Sequence, residues 1–218
     1  MEQVYYTQCP LGYGLGASNG FQIKRKTAGY PDAADFRHLN MRPFAPGSRA
    51  LAPKTLRYRR DGAILEIAWL VPRTHEYQTE RGLWGRPGGL FAHGLRLAVD
   101  ELETVGSWPA GLHAARLWLE EDKTPSQGKK PDAIAFSAAS LACPPRLDDV
   151  SRLAQGCGFT TDLLSLALTA AARVTSDGRT LFLIGEDTRV VALIQCLTFA
   201  FPPPMRPELT FSTYHDRP

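Results

Sequence analysis

The first third of the chain carries the apolar and β-branched patterns of short strands. Residues 4–7 (VYYT) and 20–24 (GFQIK) are rich in aromatic and β-branched side chains, and glycines dominate the stretch between them. This pattern favours two strands joined by a loop. After them, residues 31–39 are predicted to form a short helix, because a proline stands near the first turn and two aspartates favour the positive helix end.

The clearest local signal is a hairpin. Residues 55–60 and 63–71 flank the dipeptide Asp61-Gly62, which suits a type I′ turn. In the first of these strands apolar and basic side chains alternate, which predicts one apolar face and one basic face. Residues 90–98 fit a strand or a buried helix, and the glycine and the central His93 in this otherwise apolar run favour the strand.

The second half of the chain is predicted to be mainly helical. Residues 147–154 read as a helix closed by Gly156 and Gly158. Thr160 is a plausible N-cap for a second helix at 161–174, which is apolar nearly all round. Such a helix is expected to be buried.

Two strands and one further helix complete this half. The continuous apolar run at 180–184 (TLFLI) is typical of a buried strand. A helix at 189–199 and a strand at 208–213 follow, so the order is α–α–β–α–β.

These elements predict a mixed α/β (α+β) fold in two parts. An N-terminal antiparallel β-rich domain with short helices is expected over residues 1–140, and a smaller α–α–β–α–β domain over 145–218. The polar stretch at 120–132 is interpreted as an exposed loop or interdomain linker. Two strands and three helices make a small core, so the second domain is expected to be incomplete.

Charge is distributed unevenly along the chain. Residues 1–60 hold ten Lys/Arg and three Asp/Glu, whereas the remainder holds fifteen and nineteen. The imbalance suggests an N-terminal surface that meets an anionic partner. If the two basic segments share a sheet, their cations converge on one region that suits phosphates or carboxylates; a solvated, salt-bridged sheet face is the competing interpretation. The candidate binding residues are Lys24, Arg25, Lys26, Arg57, Arg59 and Arg60, with His93 added from the central strand.

Familiar catalytic and nucleotide-binding motifs are absent from the sequence. The glycines at 12, 14 and 16 lead into a strand rather than a helix, and no phosphate-binding P-loop motif occurs. Cys9 with His38 or His93 is an unsupported nucleophile pair. The acidic run at 120–122 is expected to be solvated surface.

No cofactor or metal site is expected either. The histidines show no metal-binding spacing, and the four cysteines form no CxxC. The cysteines are therefore expected to be free thiols. No apolar segment is long enough to span a membrane and the N-terminus lacks a signal-peptide pattern, so a cytoplasmic location is expected.

Three segments resemble the bacterial GTPase-associated protein family. Residues 3–9 (QVYYTQC), the glycine-containing loop and residues 20–23 (GFQI) look like the start of that family. Residues 86–93 (RPGGLFAH) are similar to its Pro-Gly, aromatic, Ala-His pattern, and Gly89 departs from the polar residue that follows Pro-Gly there. Residues 182–185 (FLIG) through 209–214 (LTFSTY) resemble its middle domain.

The resemblance implies a non-enzymatic adaptor in a bacterial conflict (immune) system, encoded beside a GTPase and binding it or another protein. It carries over no catalytic residues. The leading hypothesis places the binding surface on the basic sheet. The alternatives are a nucleic-acid or nucleotide binder that uses the same cations, and an unrecognised hydrolase centred on His93.

Overall fold

The computed structural model describes residues 1–31, 36–45, 47–74, 77–79, 82–84, 88–105, 108–114, 117–122 and 147–214. Its main feature is a six-stranded antiparallel sheet with the strand order β2-β1-β7-β4-β3-β8. The strands are β1 (Glu2–Cys9), β2 (Gly20–Lys26), β3 (Thr55–Asp61), β4 (Ile64–Arg73), β7 (Gly89–Ala98) and β8 (Phe211–Ser212). A separate ribbon pairs β5 (Tyr77–Thr79) with β6 (Gly82–Trp84).

The remaining described elements are helical. Short 3₁₀ segments cover Phe36–Leu39, Val99–Val105, Pro109–Ala114 and Pro203–Glu208. Three α-helices follow in the C-terminal part: α1 (Leu147–Gly156), α2 (Thr161–Ser176) and α3 (Asp187–Ala200). The antiparallel N-terminal sheet followed by helices confirms the predicted mixed α+β class. The predicted boundary between two domains near residue 140 falls among residues that the structure does not describe, and it stays a prediction.

The sheet is covered on both faces. We call face 1 the side that carries Leu65, Ile67 and Trp69 of β4; it packs against Leu102 and Trp118. We call face 2 the side that carries Ala68 and Leu70; it packs against segments that precede β3 in the chain, with contacts from Tyr30, Leu39, Met41 and Ala52. Burial on both sides makes β4 and β7 the centre of the core.

The β3–β4 hairpin is present, but its turn lies one residue later than predicted. Asp61 pairs with Ile64, so the loop consists of Gly62 and Ala63. Gly62 has a φ of +58°, a left-handed conformation that glycine adopts without a steric penalty. This conformation places the glycine at the first loop position. The predicted helix at 31–39 is reduced to the 3₁₀ segment Phe36–Leu39 among the described residues, and 32–35 lie outside them.

Helix α2 begins as predicted, with the Thr160 hydroxyl accepting a hydrogen bond from the Leu163 amide at 3.2 Å. The prediction that it is buried is wrong. Only Ala167 of this helix is buried, whereas the side chain of Leu166 is 70% exposed. The apolar pattern all round α2 exceeds what its neighbours cover, because α2 packs mainly along α3.

The buried strand predicted at 180–184 is also absent. The segment has no strand assignment, and Ile184 is 95% exposed. The final strand is shorter than predicted and pairs with β3 rather than with residues 180–184. The reason lies in the contacts around β8. The Thr213 hydroxyl accepts from the Leu56 amide at 3.0 Å, and the Tyr58 hydroxyl donates to the Pro207 carbonyl at 2.7 Å.

A second connection links α3 to the segment that covers face 1. The Trp108 indole donates to the Thr198 hydroxyl at 3.0 Å, and the Gln195 amide donates to the Ala110 carbonyl at 3.1 Å. Both bonds are buried. The helical part is therefore joined to the sheet at two places.

Among the described residues, no helix is both long and apolar enough to cross a bilayer.

We predict that Tyr58→Phe lowers the free energy of unfolding by about 1–3 kcal/mol, because the buried Pro207 carbonyl loses its donor. Urea denaturation of the full chain measures this loss. Tyr6→Phe is the matched control, since no hydrogen bond of the Tyr6 hydroxyl is found among the described residues; its effect should stay within about 0.5 kcal/mol. Equal effects of the two variants would contradict the role given to the Tyr58–Pro207 bond.

Candidate functional site

The six predicted cations do not meet in one place. Lys24, Arg25 and Lys26 lie on β2 at one edge of the sheet, whereas the three arginines of the other segment lie on β3, with β1, β7 and β4 between. Four strand spacings separate β2 from β3 by roughly 19 Å. The condition for convergence, a shared sheet, is met, but the strand order places the two segments far apart. The strand order therefore does not bring the six cations together on one basic surface.

Two cations of the first basic segment, Lys24 and Arg25, pair with an aspartate from the acidic run. The side chain of Lys24 is 1% exposed and that of Asp122 is 4% exposed, and their charged atoms Nζ and Oδ2 are 3.4 Å apart. Lys24 also donates to the backbone carbonyl of Asp122. Arg25 Nη1 lies 3.7 Å from the other carboxylate oxygen. Burial lowers the pKa of Lys24, and Asp122 opposes this effect.

The rest of the acidic run pairs with further cations. Glu121 Oε2 accepts a hydrogen bond from Arg73 Nη2 at 2.6 Å, and Glu120 pairs with Lys54. The prediction that the run is solvated surface is wrong for Asp122, because a buried lysine needs a buried counter-charge. The segment 117–122 therefore acts as a strap across face 1, and we use that name for it below.

One member of the second basic segment, Arg59, belongs to a charge ladder on face 2. Glu2, Arg96, Glu66 and Arg59 stand directly opposite one another on β1, β7, β4 and β3. Arg59 donates to Glu66, whose side chain is only 7% exposed, and Arg96 Nε lies 3.9 Å from the same carboxylate. Opposite charges at facing positions stabilise a sheet. The alternation of carboxylates and arginines compensates the charge of the basic face.

The neighbours of the ladder complete this arrangement. His38 Nδ1 lies 3.8 Å from Glu66, and burial, with Glu66 nearby, raises the pKa of Tyr30. Arg57 donates to the Asn40 carbonyl at 2.6 Å, and Arg60 pairs with Glu208. Lys26 donates to the Tyr30 carbonyl. Each predicted cation thus has a partner within the chain, and whether any of them also binds another molecule stays a prediction.

His93 is a structural residue in the core beneath the strap. Its Nδ1 accepts from the Leu119 amide at 3.2 Å, so the proton is on Nε2, which donates to Gln3 Oε1 at 2.9 Å. The rings of Tyr5 and Trp118 meet it edge-on at 5.0 and 5.2 Å. Burial lowers the pKa of His93 to about 3. Both ring nitrogens are used, and the side chain does not reach solvent.

The hydrolase hypothesis lacks its geometry among the described residues. Tyr5 is the cross-strand neighbour of His93, and Cys9 lies four residues further along the same strand. Cys9 is therefore roughly 13 Å from the position opposite His93. Burial raises the pKa of Cys9 to about 12, so the thiolate is disfavoured. His38 approaches Glu66 on face 2, whereas His93 lies on face 1. The described part of the chain also brings no three potential metal ligands together.

The glycine-rich loop folds around a side chain of its own. The Gly16 amide donates to Gln22 Oε1 at 2.6 Å, and Gln22 Nε2 donates to the carbonyls of Cys9 and Ser18 at 3.1 and 3.0 Å. A Cβ on Gly16 would lie 2.6 Å from the Gln22 oxygen, which explains the glycine. The loop is a hairpin connection between β1 and β2, as the sequence predicts.

The feature that the sequence did not predict is an apolar surface on the helical part. Among the described residues, six of the ten exposed large apolar side chains lie there, Leu147 at the start of α1 and five from α2 onward. A groove of about 720 Å³ runs through the same region, between α2, the segment 178–185, α3 and residues 208–214. The apolar pattern all round α2 is the signal that the sequence offers for this surface, but that pattern predicts a buried helix. The five side chains are Leu163, Leu166, Phe182, Ile184 and Met205.

Comparison with known proteins bears on this same region. Residues 152–218 match the family model described as GTPase-associated protein 1, middle domain. The match covers just under a third of the chain and includes α2, α3, the groove and β8. It supports a relation to GTPase-associated proteins. Neither the curated proteins nor the solved structures contain a match.

We predict that Asp122→Asn destabilises the fold by about 3–5 kcal/mol, because it leaves the buried charge of Lys24 without its counter-ion. Urea denaturation provides the measurement. Glu120→Gln is the control in the same acidic run; it breaks an exposed pair and should cost less than about 1 kcal/mol. Adding Lys24→Met to Asp122→Asn should recover most of the stability, and an unchanged stability of the single Asp122→Asn variant would contradict the pair's role.

We also predict that the fold loses stability in acid because of His93. Its pKa of about 3 in the folded state lies below the ordinary histidine pKa of 6.5, so the unfolded state binds the proton first. The contribution of neutral His93 to the free energy of unfolding is therefore fully present above pH 6.5, and it is lost as the pH falls from there toward 3. Across this range the free energy of unfolding of His93→Gln should depend less steeply on pH than that of the unchanged protein, by up to about 1.4 kcal/mol per pH unit. An identical slope in both proteins would contradict the assignment.

Proposed function

We propose that this chain is a non-enzymatic adaptor that binds a GTPase through the apolar surface of its helical part. The observation that carries the proposal is the coincidence of two features in one segment. The match to the GTPase-associated middle domain covers 152–218, and the exposed apolar side chains from Leu163 to Met205 lie within it. Exposed apolar surface of this kind is typical of protein interaction sites.

The resemblance also implies the setting. By this resemblance, the GTPase is encoded beside this chain, and both proteins belong to a bacterial conflict system. The six cations of the sheet support this role only indirectly, since four of them pair with carboxylates of the same chain and the other two donate to backbone carbonyls. A nucleotide or nucleic-acid partner on the sheet would have to displace those carboxylates. An apolar protein interface on the helices requires no such exchange.

The full chain used as bait in a lysate of the source cell tests the proposal. Captured proteins are identified by mass spectrometry and assayed for GTP hydrolysis, with nuclease added to a parallel sample. We expect a GTPase that is retained after nuclease treatment and at moderate salt. Nucleic acid that nuclease and salt remove, with no GTPase in either sample, would overturn the proposal in favour of the nucleic-acid alternative.

We predict that Leu166→Asp weakens binding of the purified GTPase at least tenfold, because it places a charge on the apolar surface of α2. Leu166 is 70% exposed, so the substitution should leave the unfolding transition unchanged. Leu11→Asp is the matched control: this leucine is 60% exposed and lies in the glycine-rich loop, outside the family match. An equal loss of affinity in both variants, or in neither, would contradict the assignment of the surface.

A further inference from the structure

The groove in the helical part has one wall of unusual character. Residues 180–184 run between α2 and α3 without a strand assignment, and their side chains alternate. Leu181 and Leu183 are half-buried toward the molecule, whereas Phe182 is 46% and Ile184 is 95% exposed. A period of two is the pattern of an extended chain. This extended segment is therefore apolar on both sides, and the molecule covers only one of them.

The opposite wall is the last described strand of the sheet. Residues 208–214 line the groove, and within them β8 pairs with β3 on one side and ends the strand order. The groove thus lies between a sheet edge and a second extended segment. Its volume of about 720 Å³ is in the range of sites that enclose a ligand.

Charge at the two ends of the extended wall specifies the occupant further. Arg179 precedes the apolar run, and Glu186 and Asp187 follow it; all three are exposed. A segment that lies along this wall would complement these charges with a carboxylate at the Arg179 end and a lysine or arginine at the other. Its central residues would be apolar, to cover Ile184 and the leucines of the groove.

We infer that the groove binds an extended apolar segment of the GTPase, acidic at one end and basic at the other, as an added strand beside β8. This inference rests on the proposed function and makes it specific. Strand addition at a sheet edge gains affinity from backbone hydrogen bonds and specificity from alternate side chains. The walls supply both components, since β8 offers a sheet edge and the opposite segment offers alternating apolar positions.

Hydrogen–deuterium exchange of the full chain, alone and with the purified GTPase, tests the inference. The Thr213 amide donates to the Leu56 carbonyl of β3, so by alternation the Ser212 amide is directed to the open edge of β8. We expect the amides of residues 180–184 and of Ser212 to exchange at least tenfold more slowly in the complex. Binding without this protection would overturn the groove while leaving the adaptor role intact, whereas the absence of binding would overturn both. Slow exchange of the same amides already in the free chain would show that another segment of the chain fills the groove, and would also overturn the inference.

Two substitutions separate the groove from the rest of the apolar surface. Ile184→Asp should weaken GTPase binding at least tenfold, because its side chain is exposed on the extended wall. Leu147→Asp is the control, since this leucine is 68% exposed at the start of α1 and does not line the groove.

A set of overlapping synthetic peptides from the GTPase should contain one that competes with the complex and has the predicted end charges. Competition by none of them, or equal effects of the two substitutions, would contradict strand addition.

Discussion

The ion pair between Lys24 and Asp122 is the interaction on which the arrangement of the sheet depends. A lysine that is 1% exposed requires a counter-charge in the core, and Asp122 of the strap that crosses face 1 supplies it. Once Asp122 is in place, the strap brings Leu119 to His93 and Glu121 to Arg73. The same segment thus closes the core and neutralises the cations beside it.

This dependence changes the meaning of the charge imbalance in the sequence. Five of the ten basic residues in the first sixty positions pair with carboxylates that come from later in the chain: Asp122 and Glu120 from the strap, Glu66 from β4 and Glu208 from the C-terminal part. Because an ion pair of this kind spans distant parts of the chain, its two halves look like separate charged regions in the sequence. Five of the ten large apolar side chains that are exposed among the described residues belong to the segment that matches the GTPase-associated middle domain.

The sequence predicts the elements better than their partners. Local signals place the strands of the sheet and the three helices, since hydrophobic periodicity, the Thr160 cap and the Asp-Gly hairpin act within a few residues. The strand order does not follow from such signals, and so the distance between β2 and β3 was not predictable. Residues 180–184 show the same limit. Their apolar run predicts a buried strand only if a partner strand is available, and β8 pairs with β3 instead.

The most direct measurement is calorimetric titration of the GTPase with this chain at several temperatures and salt concentrations. Burial of an apolar surface predicts a negative heat-capacity change. It also predicts an affinity that stays nearly constant between about 50 and 500 mM salt, because few charged groups take part. A heat-capacity change near zero together with an affinity that falls steeply with salt would contradict the account and return the interface to the cations of the sheet.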